Sequence, residues 1–293
     1  MQSLWDFLLR HVGADLLGHP LLFTAPILTT VVLAGVGFSL VDVFVTRHVA
    51  LKDAALYMAI TLPGYVVVFA LLKWLPLAAR APVPIHAPGA FEFLRDMALC
   101  LLIGDFLSYW WHRLEHRSRA IFRHVHRVHH QVARPLSVWS GFYVHPVESA
   151  CVFVAFYLYP FLVGVHPLVF AAYASLNTFV TMVTHCGYDI PGYPKWLFAS
   201  APMHEHHHER TKKAWNYCVL LTLSDRLFGT FKGEAPPPVH VSASDRQNGQ
   251  RATGPSQVRP PAVLPLLLAA TTWPGNTRLP SPLSGHPCRQ PSR

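Results

Sequence analysis

The chain has 293 residues, of which 52% are hydrophobic and only 13% are charged. This charged share is about half of the roughly 25% found in typical soluble proteins. The composition therefore excludes a disordered, collagen-like or disulfide-scaffold chain and argues against a soluble globule. The formal net charge is +9. No basic run in the sequence resembles a nucleic-acid-binding arm, and we expect no nucleic-acid partner.

The cysteines do not form a recognisable motif. They are odd in number and include no CxxC pair, which argues against a zinc ribbon, a redox pair or a disulfide framework. No early apolar segment ends in a small-residue cleavage site, so we expect no removable signal peptide.

Three apolar segments precede residue 112. Residues 16–41 and 54–72 contain no Asp, Glu, Lys or Arg, and each reaches the length of about 20 residues that is needed to cross a bilayer core. Residues 90–111 form a third predicted span, which is interrupted by four charged side chains, Glu92, Arg95, Asp96 and Asp105.

A fourth apolar segment predicts a helical hairpin. Residues 149–188 carry no charged side chain, and they are too many for one straight crossing at about 1.5 Å per residue. The middle of the segment, around Gly164, is rich in helix breakers. A turn there would return the chain to the face that it left. We therefore expect His145 and His185 at one membrane face and His166 far from it.

Histidine is the unusual residue type, because 13 of the 19 histidines lie between residues 112 and 208. Most of them fall into three spaced sets. Side chains three or four residues apart share a helical face, so each set can present several imidazoles together. The eight histidines are too many for one ion and suit two, although imidazole spacing alone does not select the metal. The sets are His112 and His116, then His126, His129 and His130, then His204, His207 and His208.

Together these patterns predict an all-α fold. We expect an integral membrane helical bundle of three spans plus a helical hairpin, with a histidine-rich di-metal cap on the cytosolic face. Arginines crowd the histidine region, and an excess of such residues is typical of cytoplasmic loops. The expected domains are N-terminal transmembrane helices (1–88), a catalytic domain (89–234) and a disordered Pro-rich tail (235–293), which holds 12 of the 26 prolines.

The histidine sets and their neighbours resemble a known family. Their order matches the HxxxH, HxxHH and HxxHH boxes of the membrane-bound fatty acid hydroxylase/sterol desaturase superfamily, over about residues 95–232. The chain looks most like the sterol desaturase-like branch. Further elements of the resemblance are the HPVE sequence at 145–148, the HCGYD sequence at 185–189, Asn216-Tyr217, and the segment from Asp225 to Thr230.

Membership in that superfamily implies a non-haem di-iron oxygenase. Such an enzyme uses O₂ and two external electrons to hydroxylate or desaturate an unactivated C–H position of a lipid. The implied cofactor is two iron ions. Where the fatty-acid 2-hydroxylase branch has a further histidine this chain has Thr181, and His145 is the candidate to replace it. The implied ligands are His112, His116, His126, His129, His130, His145, His185, His204, His207 and His208.

Acidic residues near the histidines are candidates to orient the imidazoles by hydrogen bonding. The alternative for each is an interfacial ion pair with an arginine, and Glu115 and Glu205 inside the boxes face the same ambiguity. The four candidates outside the boxes are Asp105, Glu148, Asp189 and Asp225.

The sequence also bounds the partners. It contains no flavin, nicotinamide or haem motif, so electrons would come from a separate protein, such as cytochrome b5 or a ferredoxin with its reductase. The substrate would be a lipid of the bacterial inner membrane or the endoplasmic reticulum. The sequence does not select the lipid, nor hydroxylation over desaturation.

Two other functions remain open. A zinc-dependent membrane hydrolase would use the HExxH spacing that His204, Glu205 and His208 satisfy by letter. A metal transporter would need ligands along a pathway at mid-membrane depth. The predicted histidine sets lie at the ends of spans instead, which argues against transport.

Overall fold

The structure of the chain is a computed structural model. It describes residues 1–18, 24–46, 59, 64, 83–132, 136–209 and 214–234. The second predicted span, except for residues 59 and 64, and the predicted tail lie outside the described residues. Within them the fold is helical, with one isolated β-bridge between Phe198 and Leu221 and no strand. The predicted all-α class is confirmed, whereas the domain boundaries stay a prediction.

Nine α-helices are present in these residues. They are α1 (Gln2–His11), α2 (Ala14–Leu17), α3 (Ala25–Val41), α4 (Ala90–Arg117), α5 (Arg119–Ile121), α6 (Pro146–Val163), α7 (Pro167–Thr184), α8 (Ala201–His208) and α9 (Leu223–Leu227). A π-helical turn, Asp42–Thr46, continues α3, and another, Phe122–His126, follows α5. Single 3-10 turns occupy His129–Gln131 and Val138–Phe142.

Helices α6 and α7 form the predicted hairpin. Gly164 ends α6 in the left-handed conformation, with a φ of 66°, which a residue without a Cβ adopts at little cost. Each arm begins with a His-Pro pair. His145 and His166 cap the two helices by accepting hydrogen bonds from Val147 and Leu168 through Nδ1, and each following proline occupies the first helical position, where it needs no N–H partner.

Three of the described helical segments are long and apolar enough to cross a membrane: Ala25–Phe44, Pro146–Val163 and Pro167–Thr184. They correspond to the first predicted span and the two hairpin arms. The third predicted span also forms a helix, α4, but α4 is not among these three segments.

The core lies where α4 packs against α6 and α7, while α3 packs against α7. Aromatic side chains from the hairpin, including Phe156 and Tyr173, fill the space between these helices. The Tyr173 hydroxyl donates to the Phe156 carbonyl at 2.9 Å. A Cβ at Gly104 of α4 would overlap that hydroxyl. The glycine therefore allows α4 to approach the hairpin closely.

Contacts at the hairpin turn identify one end of this helical assembly. His166 contacts the Trp5 ring at 4.5 Å between centroids, and its Nε2 lies 3.1 Å from the carbonyl of His86, just before α4. The start of α4 therefore lies beside the turn. His112 and His116 are about six and about seven turns further along α4, and so they lie at the end where α6 begins and α7 finishes.

Candidate metal centre

Five histidines converge through their Nε2 atoms into a first group. Its members come from α4, the segment that follows it, and α8: His112, His116, His126, His130 and His207. The Nε2 atom of His116 lies 2.9 Å from that of His126, 3.1 Å from that of His207 and 3.2 Å from that of His130. All five ligand atoms lie within 4.8 Å of one another. We call this set the five-histidine group.

Four other histidines form a second group beside the first. They are His129, His185, His204 and His208. The Nε2 atom of His208 is 3.1 Å from that of His129 and 3.1 Å from that of His204. We call this set the four-histidine group.

The two groups share elements of structure. His126 and His130 belong to the five-histidine group, whereas His129 between them turns to the four-histidine group. On α8 the rings of His204 and His207 are stacked, with centroids 5.3 Å apart and planes 7° from parallel, yet they serve different groups. Each HxxHH sequence thus contributes to both groups, and in the first of them the residue that crosses over is His129.

Hydrogen bonds to Nδ1 orient several of these rings. The Nδ1 atoms of His112 and His207 lie 2.6 and 2.7 Å from the backbone carbonyls of Tyr217 and Trp215. Since a carbonyl oxygen only accepts, each Nδ1 donates and leaves the Nε2 lone pair free for an ion. His185 makes the same arrangement with the Thr181 carbonyl, at 2.7 Å.

Glu148 is the predicted acidic residue that contacts a histidine ring directly. Its Oε1 is 2.8 Å from Nδ1 of His126, and Glu115 Oε2 is 3.5 Å from the same atom. All three side chains are almost completely buried. Burial, with the charge of Glu148 second, raises the pKa of Glu115 well above its usual range. His126 is therefore held between two carboxyl groups that solvent does not reach.

Asp105 and Asp225 act on backbone instead. Asp105 accepts from the amides of Leu221 and Ser224, at 2.9 and 3.1 Å. Asp225 accepts from the amides of Tyr217 and Cys218, at 3.0 and 2.8 Å. Asp105 fixes the segment after α8 on α4, whereas Asp225, in α9, holds two residues of the same segment together. This segment supplies the Tyr217 carbonyl that His112 needs.

Three further predicted residues also lie outside both groups. Asp189 pairs with Lys195 at 2.8 Å near the surface, as in the ion-pair alternative. Glu205 accepts from the amide of Leu136 at 3.2 Å. His145 caps α6. His166 caps α7 in the same way, although it lies away from both groups. The ligand role of His145 stays a prediction, and its position gives it a competing structural one.

The electrostatics of the groups favour neutral imidazoles. Burial, the largest cause in each case, lowers the pKa of His130 to about 3 and that of His185 to about 4. It also lowers the pKa values of six others, with neighbouring imidazoles adding to the effect: His112, His126, His129, His204, His207 and His208. Neutral imidazole is the form that binds metal ions.

The spacing of the nitrogens fits metal ligation. Two atoms that each lie about 2.1 Å from one ion, at right angles to each other, are about 3.0 Å apart. The Nε2–Nε2 distances of 2.9–3.2 Å match this value. The Nε2 atom of His185 is buried without a hydrogen-bond partner among the described residues. An ion in the four-histidine group would satisfy it.

The fold and the site define a helical protein with candidate membrane spans and two adjacent histidine groups suited to metal ions. Comparison with known proteins identifies its family. Residues 97–230 match the fatty acid hydroxylase family model, and the chain belongs to this family. The superfamily recognised from the three histidine sets is thereby confirmed.

Several curated relatives support the assignment. A cholesterol 25-hydroxylase-like protein of Danio rerio is 34% identical over 55% of this chain and 63% of its own length. Methylsterol monooxygenase 2-2 of Arabidopsis thaliana is 32% identical over 54% of this chain and 59% of the relative. A Dictyostelium discoideum relative is 30% identical over 62% of this chain and 67% of its own length. The chain thus spans less than two thirds of the first two of these relatives. No solved structure matches the chain significantly.

The sequence pattern did not reveal the backbone acceptors of the site. The carbonyls of Trp215, Tyr217 and Thr181 orient three rings. Tyr217 belongs to the Asn216-Tyr217 element of the resemblance, but every residue type carries a carbonyl, so no side chain marks this role. Asn216 lies between Trp215 and Tyr217 and has a φ of 52°. This conformation is uncommon in a non-glycine residue, so the structure, rather than the sequence, marks this segment as constrained.

Proposed function

We propose that this protein is a membrane-bound di-iron oxygenase that hydroxylates or desaturates an unactivated C–H position of a lipid, of sterol or fatty-acyl type. The five-histidine and four-histidine groups, side by side in one fold, are the single observation that carries the proposal. Catalytic zinc sites use about three protein ligands, fewer than either group offers. Nine histidines in two sets suit a pair of ions of higher coordination number, such as iron.

The nine histidines would hold the ions, and the ions would supply O₂ activation next to the substrate. The protein's own contribution is to fix the imidazoles. Carbonyls behind His112, His185 and His207 set the tautomer and the ring orientation. Glu148 does this for His126 with the added effect of a carboxylate, which strengthens the imidazole as a ligand. No side chain is required as a nucleophile.

A lipid substrate is supported by the position of the four-histidine group. His185 directly follows α7, one of the segments apolar enough to span a membrane. The turn Val138–Phe142 lies beside it, since a Cβ at Gly141 would be 3.0 Å from Nδ1 of His185. The same turn reaches the candidate span α3, where Trp139 donates to Ser39 at 3.0 Å. Apolar helices thus lead to this group, as a substrate that enters from the bilayer requires.

The two other functions are less well supported. In a zinc hydrolase Glu205 would activate water, but its carboxylate accepts from the Leu136 amide, and His204 and His208 share their group with two further histidines. Transport would need ligands at intervals along a span, whereas both groups lie at helix ends.

We also propose that the histidine end of the protein is cytoplasmic, because arginines crowd it. The proposed electron donor is cytochrome b5 or a ferredoxin with its reductase.

Isotope-resolved lipid profiling tests the proposal. Host cells expressing the wild-type chain or His207→Ala would be grown under ¹⁸O₂, and their lipids compared by mass spectrometry. We expect a wild-type product that has gained one ¹⁸O or lost two hydrogens, and its absence in the variant. A product that forms without O₂, or whose new oxygen comes from water, would rule the oxygenase out.

A further inference from the structure

A basic surface covers the five-histidine group from outside the helical core. Four exposed arginines lie on and around the segment that follows α4, and they have no ion-pair partner among the described residues. No Asp or Glu occurs between residues 116 and 132. No acidic side chain of this segment therefore compensates its positive charge. We call this set the arginine surface: Arg117, Arg119, Arg123 and Arg127.

Phe122 connects the arginine surface to the metal ligands. It is partly exposed and lies in the chain between Arg119 and Arg123. Its ring centroid is 5.4 Å from that of His116, 5.8 Å from that of His130 and 6.0 Å from that of His126. One aromatic ring beside the arginine surface thus contacts three members of the five-histidine group. His116 and His130 are themselves partly exposed.

The location of this surface matters because electrons must enter from outside. The sequence carries no flavin, nicotinamide or haem motif. The segment Phe122–His126 packs on the end of α4 and the start of α6, across the end of the helices where the histidines gather. A donor seated there would be separated from the histidine ligands by a single side chain. Basic residues around such a point attract an acidic partner and accelerate its encounter.

We propose that Phe122 and the arginine surface form the docking site of an acidic one-electron carrier protein. This inference rests on the proposed function and names the partner of that site. Each hydroxylation consumes one C–H bond, one O₂, two protons and two electrons, and yields one alcohol and one water. The carrier is therefore oxidised in two successive one-electron transfers, and the protons come from solvent. Desaturation needs the same two electrons and yields two waters.

Charge reversal tests the inference. The full chain would be reconstituted in zwitterionic phosphatidylcholine nanodiscs as wild type, as Arg119→Glu/Arg123→Glu, and as a control. The control, Arg10→Glu/Lys232→Glu, makes the same change in charge at two exposed positions outside the arginine surface. Reduced cytochrome b5 haem domain and reduced plant-type ferredoxin serve as carriers. Lipid product is measured against carrier concentration and salt.

We expect the Arg119→Glu/Arg123→Glu variant to raise the KM for the effective carrier about tenfold or more at low salt, with kcat at saturation retained. The control should match the wild type, and high salt should reduce the difference. The inference is overturned if the KM is unchanged or if neither carrier delivers electrons. It is also overturned if the effect appears only in nanodiscs that contain anionic phosphatidylglycerol, since the arginines would then bind headgroups.

A separate arm distinguishes this inference from the proposed function. Protein reduced anaerobically with dithionite and then exposed to O₂ needs no carrier. Product from this single turnover supports the oxygenase even where carrier docking fails. If wild-type protein gives no product by either route, the proposed function falls and the docking inference falls with it.

Discussion

The Nδ1 atom of His126 lies 2.8 Å from Oε1 of Glu148, and this contact joins the hairpin to the five-histidine group. Glu148 is in the first turn of α6, whereas His126 ends the π-helical turn after α5. The carboxylate polarises the ring whose Nε2 faces His112, His116 and His130. In the four-histidine group, Nδ1 of His185 faces the neutral backbone carbonyl of Thr181 instead. The two groups therefore differ in the charge behind their ligands.

Removing the charge of Glu148 should weaken the binding of one ion more than that of the other. Glu148→Gln keeps the size of the side chain but not its charge, and loss of such a partner typically lowers metal affinity about 10–100-fold. Competition with a chelator, followed by elemental analysis, should show one of two ions leaving first. Asp189→Asn, which removes an exposed partner of Lys195, is the control. Equal retention of both ions by Glu148→Gln and the wild type would argue against this role.

Asp225→Ala should act on folding rather than directly on an ion. The substitution leaves the amides of Tyr217 and Cys218 and the Thr230 hydroxyl without their acceptor. Unsatisfied buried donors cost about 1–3 kcal/mol each, so we expect a clear drop in thermal unfolding temperature of the metal-free protein. Glu148→Ala, which removes a carboxyl group that contacts the His126 ring and not these amides, would be compared in the same assay. An unchanged unfolding temperature for Asp225→Ala would contradict the role of Asp225 in holding this segment.

Substitution of His145 decides between its two roles. If it only caps α6, His145→Ala should cost about 0.5–2 kcal/mol of stability and leave the metal content unchanged. His185→Ala, at the other end of the hairpin, should lower the content of the four-histidine group. His166→Ala is the matched control, because His166 caps α7 in the same way. Loss of an ion in His145→Ala, but not in His166→Ala, would restore the predicted ligand role.

The metal-free protein should lose stability in mild acid. Histidines whose folded pKa is lowered by burial, to about 3 for His130 and about 4 for His185, stay neutral in the fold. The unfolded chain takes up protons near its ordinary histidine pKa of about 6.5. Stability should therefore be fully present above that pH and fall as the pH decreases from it toward 4. Unfolding curves of chelator-treated protein between pH 8 and 4 check this, and a constant unfolding temperature would contradict it.

Much of the site followed from residue spacing. The four-residue interval in the first box places His112 and His116 on one face of α4, and the helix breakers around Gly164 bring the two ends of the hairpin together. The division of the HxxHH boxes did not follow. It depends on the π-helical turn and the 3-10 turn around His126–Gln131, whose geometry periodicity does not report.

Other parts of the site depend on long-range contacts. Asp105 and Asp225 are predicted from the sequence as candidates that orient the rings. Their partners instead include backbone amides, which are more than a hundred residues away for Asp105 and seven or eight away for Asp225. Glu148 was among the same candidates and does contact a ring. An acidic residue near a histidine box has the same sequence signature in each case. Only the packing of the segment after α8 on α4 separates the two roles.

Metal stoichiometry of purified protein is the most direct test of two adjacent ion sites. Elemental analysis should give close to two ions per wild-type chain. Removal of one ligand from each group, with His116→Ala and with His204→Ala, should lower the number toward one in either variant. A wild-type value near one, or a value that neither substitution changes, would contradict the binuclear centre on which the account depends.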